Sequence, residues 1–452
     1  MVMPSQMGGP VASASPGDSL ENLQVQRRTS PRAALVTRSL VAVCILVFAA
    51  MAFRQVSTHA GSEPLLLRWG ANFGPLTLSG QWWRLFTSLF IHLGVVHLAV
   101  NMWCLWDLGS FAERIYGRAQ FLIIYLLAGV IGALCSLFWH PFALAAGASG
   151  AIFGVTGALL ASFIFGDLPF TKKSAAIALL SVIAFAGYNL FVGFVGKGPG
   201  NAAHVGGLIS GFLLALLISK TSFRRALLLG VLSIVLGCVF VGWKRGYVVT
   251  AEQARIALAN GQSDRALQLL VESLRKNPEF ADGYTMRGQA YMQKKQFADA
   301  EAAYGRALAL QPKDGSVSYQ LGMALLAQGR SNDALELFNR LAAEDPRNYD
   351  ALIGIGTVAE LQGNYQLAFD AFDRATKLVP QDAQAYSNLG LAALQLHKPD
   401  EAIAAFTKCT QLEPGNPNAM MNLAIAYKSK GMEKEAEESY QHAVELAKRG
   451  KK

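Results

Sequence analysis

Apolar residues run continuously through the first half of the chain and periodically through the second. Seven stretches, at 36–53, 85–106, 119–138, 148–165, 174–196, 202–219 and 226–243, are apolar enough to be read as helices crossing a bilayer, which takes about 17 to 25 residues each. The fourth and sixth are broken by glycine and polar side chains. From Tyr247 the runs give way to an amphipathic pattern that repeats every 34 residues. Both halves therefore predict helices, and the fold class is all-α.

The repeat is fixed by packing positions. A small residue recurs at Ala266, Ala300, Ala334, Ala368, Ala402 and Ala436, and a helix-ending proline at Pro278, Pro312, Pro346, Pro380 and Pro414. Gly288, Gly322, Gly356 and Gly390 keep the same interval, with Ala424 in the last register, as do Tyr304, Phe338, Phe372, Phe406 and Tyr440. Six such registers resemble tetratricopeptide repeats, each a helix pair that buries its apolar face only by stacking on its neighbours. Alanines and aromatics at these positions are expected to be packing residues. The groove of such a solenoid implies a peptide or protein partner without saying which, and His397 and His442 read as isolated surface residues.

Composition agrees with a membrane half and a soluble half. The chain has 452 residues, 52% of them hydrophobic and 16% charged, too apolar for a wholly soluble protein. Residues 1–246 hold 17 Lys and Arg against 6 Asp and Glu, net +11, whereas 247–452 hold 23 against 25, net −2. Because the cations of the first half are scattered singly between apolar runs, they read as membrane flanks; a nucleic-acid face would be continuous. Residues 1–35, rich in Ser, Pro and Gly, are expected to be a disordered tail. The three remaining divisions are a six-helix core at 36–220, a seventh helix with its linker at 221–246, and the repeats at 247–450.

The distribution of cations also predicts orientation. With the N-terminus in the cytoplasm, Arg27, Arg28, Arg32, Arg38, Arg114, Arg118, Lys172, Lys173, Lys220, Arg224 and Arg225 fall inside, while Arg54, Arg68, Arg84 and Lys197 fall outside. Lys244 and Arg245 point the other way. Seven spans then place the repeats on the outer side of what is expected to be a bacterial cytoplasmic (inner) membrane. The five cysteines, Cys44, Cys104, Cys135, Cys238 and Cys409, form neither a disulfide framework nor a CxxC site, and neither HExxH nor a phosphate-binding GxxxxGK[ST] occurs, so no metal or other cofactor is expected.

Candidate chemistry lies inside the apolar runs, where ionisable side chains are costly and mark function by default. Ser149 stands in Gly147-Ala-Ser-Gly and His204 in Ala203-His-Val-Gly-Gly, 55 residues apart on different spans. A nucleophile and a base are thus available if those helices touch. Gly150, Gly154 and Gly157 on one span and Gly207 and Gly211 on the other favour close approach. A further span carries His97 and Asn101, four residues apart and on one face, with His92 near its end as a solvated interfacial residue. Packing glycines, a helix-bonded serine and an interhelical hydrogen-bond pair would explain the same residues without catalysis.

Taken together, Gly70-Ala-Asn, Gly80-Gln-Trp-Trp-Arg-Leu-Phe-Thr, Phe90-Ile-His-Leu-Gly-Val-Val-His-Leu-Ala-Val-Asn, Glu113-Arg, Gly147-Ala-Ser-Gly and Asn201-Ala-Ala-His-Val-Gly-Gly resemble the rhomboid family of intramembrane serine proteases, over about 36–220. That resemblance implies a six-helix bundle with one extra span here, Ser149 as nucleophile and His204 as general base, without an acidic third member. It also implies Asn101, His97 and the Ser149 backbone N–H as oxyanion donors, Gly147 as an uncrowded position before the nucleophile, and Phe153 as the aromatic on the histidine ring. Trp83, Arg84 and Glu113 would be structural. The implied substrates are transmembrane proteins, with the repeats as a recruiting arm. A catalytically silent scaffold that binds spanning helices and a soluble partner is the alternative; retention of both Ser149 and His204 favours the protease.

Overall fold

A computed structural model of the chain describes residues 34–53, 63–165 and 200–449, with scattered positions between 180 and 194. The chain divides into two compact units between Val249 and Thr250. All regular structure among the described residues is helical apart from an isolated antiparallel bridge between Asn72 and Ala145. The expectations for the N-terminal tail, its Arg27, Arg28 and Arg32, and for Lys172, Lys173 and Lys197 fall outside the described residues.

Five helices of the first unit are long and apolar enough to cross a membrane: α1 (Leu35–Phe53), α2 (Val95–Tyr116), α3 (Arg118–Trp139), α5 (Gly200–Lys220) and α6 (Phe223–Arg245). A shorter apolar helix, α4 (Ser149–Phe165), precedes α5. The apolar run at 174–196 is described only at scattered positions, all helical. Gly117, at φ +75°, separates α2 from α3 by a turn that a side chain would strain.

One boundary differs from the sequence reading. The second span runs from Val95 to Tyr116, not over 85–106. Residues 84–90 instead form two short helical turns in the preceding loop, and its apolar side chains are core without being span: Leu85, Leu89 and Ile91 are buried. Arg84 fixes that loop, donating from Nη1 to the carbonyls of Leu67 and Ala71 and from Nε to Gln81. At its other end the helix continues past Asp107 through a π-helical turn, Leu105–Gly109, to Glu113.

Glu113 explains that polar extension. Its carboxylate accepts from the backbone N–H of Val36 and Thr37 and from the Thr37 hydroxyl, so it caps the first turn of α1, whose amides have no partner within their own helix. The group is buried. Glu113→Ala leaves those donors unsatisfied and should lower stability by about 2 kcal/mol, read as a lower unfolding temperature in detergent; an unchanged temperature would remove the cap from the account.

In the second unit twelve helices, from Tyr247–Ala259 to Glu433–Arg449, alternate in pairs. In four of the six pairs the aromatic of the second helix lies on the glycine of the first: Tyr304 on Gly288, Phe338 on Gly322, Phe372 on Gly356 and Phe406 on Gly390. Those four rings are buried, as are the recurring alanines. Tyr440 departs from the expectation, being 44% exposed; Ala424 stands where the other pairs have glycine, and its methyl group fills the space a ring would take. Asp314, Asn348, Asn364, Asp382 and Asn416 cap helix starts with side-chain acceptors.

Candidate active site

The loop between α3 and α4 is pinned before it delivers Ser149. Gly74 N–H donates to the Pro141 carbonyl, Asn72 and Ala145 exchange backbone bonds, and Gly147 N–H donates to the Ser88 carbonyl. Gly147 sits at φ +134°, and a methyl group there would come within 2.8 Å of the His97 ring, so both backbone conformation and space require glycine. Helix α4 begins at Ser149. The N–H groups of Ser149, Gly150 and Ala151 therefore have no acceptor within their own helix and lie at its positive end.

The base is brought to the nucleophile by glycine contacts between α4 and α5. A methyl group on Gly207 would overlap the Gly150 carbonyl; on Gly211, the Gly154 carbonyl; on Gly157, the Leu208 carbonyl. With the two backbones in direct contact, His204 Nε2 lies 2.9 Å from Ser149 Oγ. The Phe153 ring stacks flat on His204, with centroids 4.3 Å apart and planes 4° apart. Among the described residues His204 Nδ1 is buried without a hydrogen-bond partner, and the ring stacking orients the imidazole. The tautomer protonated on Nδ1 leaves Nε2 free to accept from Oγ.

His97 and Asn101 share a face of α2. Asn101 is buried and donates from Nδ2 to the His97 carbonyl at 2.8 Å, which commits one amide proton to its own helix and leaves the second. The His97 ring lies against Gly147. His92 corrects the sequence reading: it is 1% exposed, not solvated, and packs edge-on to His97 with ring centroids 5.3 Å apart. Its spacing gave no sign of this, because the chain between the two is extended at Gly94 and α2 starts only at Val95, so no helical register relates them. The contact of Tyr116 with Ser162 and with the Ala158 carbonyl, 2.6 Å each, ties α2 to the far end of α4 and was equally unmarked in the sequence.

Chemically, the arrangement supplies a hydroxyl, an acceptor for its proton, and helix-end amides where an oxyanion would develop. In the repeat unit, burial holds the carboxyls of Asp282, Asp350 and Glu360 above the usual carboxylate range, with the neighbouring Asp314 adding to the effect at Asp282.

Comparison with known proteins finds relatives of both parts of the chain. The rhomboid domain matches residues 79–221; the TPR domain of cytochrome c-type biogenesis protein H matches 264–386, and single tetratricopeptide repeats match 383–416 and 417–449. Rhomboid protease GluP of Bacillus subtilis (strain 168) is 32% identical over 295 residues, 64% of this chain and 57% of that protein's length. Rhomboid protease AarA of Providencia stuartii is 31% identical over 219 residues, 43% of this chain and 76% of AarA. Among solved structures, the crystal structure of MamA is 29% identical, covering 36% of this chain and 95% of that one at a TM-score of 0.33. A relative matched along that much of its own length, on a bundle with the same domain, places the chain: it belongs to the rhomboid family.

Proposed function

We propose that the protein is an intramembrane serine endopeptidase that cleaves transmembrane-helix substrates. The observation that carries this reading is the 2.9 Å approach of His204 Nε2 to Ser149 Oγ, between helices apolar enough to lie in a bilayer. In the reaction His204 takes the proton of Ser149 as Oγ attacks the scissile carbonyl, giving a tetrahedral adduct. Its oxyanion is held by the N–H groups at the start of α4, with the free amide proton of Asn101 and the His97 ring as further donors. His204 then protonates the leaving amine, and water deacylates Ser149 by the same base.

Reconstitution in liposomes with a transmembrane substrate tests this reading: product that accumulates with the native chain and is absent with the Ser149→Ala chain supports it, and equal product from both refutes it. In the same assay Asn101→Ala should slow cleavage by roughly 10 to 1000-fold, as expected for one donor among several. Unchanged cleavage would remove Asn101 from the oxyanion site.

The repeats serve this reading as a recruiting arm for a substrate or partner. Cation counting puts them on the outer side of a bacterial inner membrane, reached after an odd number of spans. Protease added to intact spheroplasts should then digest the repeats while a cytoplasmic marker survives; protection of both would place the arm in the cytoplasm.

A further inference from the structure

Behind the face of α5 that carries His204, the first unit holds a wedge-shaped cavity of about 920 Å³. Its floor is α3, at Ile131, Cys135 and Trp139, and one wall is α5, from Asn201 to Leu217. Gly230 closes the narrow end: a methyl group there would lie 2.6 Å from Leu127 of α3 and 3.2 Å from Leu214 of α5. Toward the other end α6 stays on α3, with Val241 packed among Leu134 and Leu137 and Phe240 stacked on Phe138 at 5.6 Å. Among the described residues, Phe194 also borders the gap beside α5.

The open end has the chemistry of a headgroup layer. Trp139 and Trp243 are 64% and 74% exposed, as aromatics at a membrane surface are. Arg245 donates to the Phe138 carbonyl at 2.8 Å, two residues before the cavity-lining His140, and Lys244 lies over the Trp243 ring at 4.4 Å. Asn201, also lining this end, has a buried carboxamide oxygen without a partner among the described residues. Below that level the lining is almost wholly apolar.

The two parts of the wedge select the occupant: its apolar lining suits hydrocarbon chains, and the tryptophans and cations at the open end suit a charged headgroup. We propose that the wedge is a binding site for an anionic phospholipid: its acyl chains lie on Ile131, Cys135, Val205 and Ile209, its phosphate faces Lys244 and Arg245, and a headgroup hydroxyl donates to Asn201. Bound there, the lipid backs the helix that presents His204 to Ser149.

The test uses the full chain in phosphatidylethanolamine vesicles containing phosphatidylglycerol with a photoreactive diazirine on its acyl chain, and needs no cleavage activity. Adducts should concentrate on the wedge segments of α3 and α5 at least fivefold over exposed Leu46 of α1. Ile209→Trp, which fills the space, should bring the wedge down to the α1 level while leaving α1 labelling unchanged. Lys244→Gln with Arg245→Gln should abolish the preference for phosphatidylglycerol over a phosphatidylcholine analogue. Labelling no denser in the wedge than on α1, labelling indifferent to Ile209→Trp, or displacement of the lipid by an added transmembrane helix would each overturn the proposal.

Discussion

Ser149→Ala and His204→Ala each reduce cleavage of a transmembrane substrate by about 10⁴-fold or more, and the double variant loses little beyond either single one. The expectation follows from the two acting as one unit: without His204 the hydroxyl keeps its proton, and without Oγ the base has nothing to activate. Among the described residues His204 Nδ1 has no partner and Phe153 supplies the orientation by stacking, so no described carboxylate variant should reproduce this loss. The fold should survive, since neither side chain closes a helix-helix contact that the glycines do not already make. Measured as initial rates in liposomes, independent and multiplicative losses from the two single variants would break the pairing.

Gly207→Val should lower cleavage at least about 100-fold without touching either catalytic side chain. Gly207 lies three residues after His204, and its Cβ would overlap the carbonyl of Gly150, the residue after Ser149, so α5 must move away from α4. A shift of about 1 Å in a catalytic pair is enough for a loss of that size. Gly305→Ala, where a Cβ meets nothing within 4 Å, is the matching control in the repeats and should leave the rate unchanged. If Gly207→Val retained full activity while helical content was preserved, the close backbone contact would not be what sets the 2.9 Å approach.

Much of this site was legible because a membrane makes polar residues conspicuous. Ser149, His204, His97 and Asn101 stand out in apolar runs, and the glycines that face them announce which helices touch. Register in the repeats was legible for a similar reason: each recurring glycine makes room for one ring, so Gly322 and Phe338 read as a pair across 16 positions. What failed was the inference from apolarity to span. Leu85, Leu89 and Ile91 are as apolar as bilayer-facing residues, yet they pack beneath a loop that Arg84 holds to the Leu67 and Ala71 carbonyls. Conversely, the apolar run ends at 106 while the helix continues past Asp107 to Tyr116, and Glu113 belongs there because its carboxylate caps α1. His92 was misread as solvated because its burial depends on the loop folding back on His97, a tertiary contact without a periodic signature.

The central claim is that Ser149 is a nucleophile activated by His204. Its most direct test is labelling of the full-length protein with a fluorophosphonate, followed by mass spectrometry of the peptide carrying Gly147-Ala-Ser-Gly. Activation by His204 should give stoichiometric modification of Ser149, loss of cleavage in proportion to labelling, and no modification in the His204→Ala chain, with or without a metal chelator. Cleavage that continues undiminished in protein fully modified at Ser149, or modification that is equally fast without His204, would contradict it.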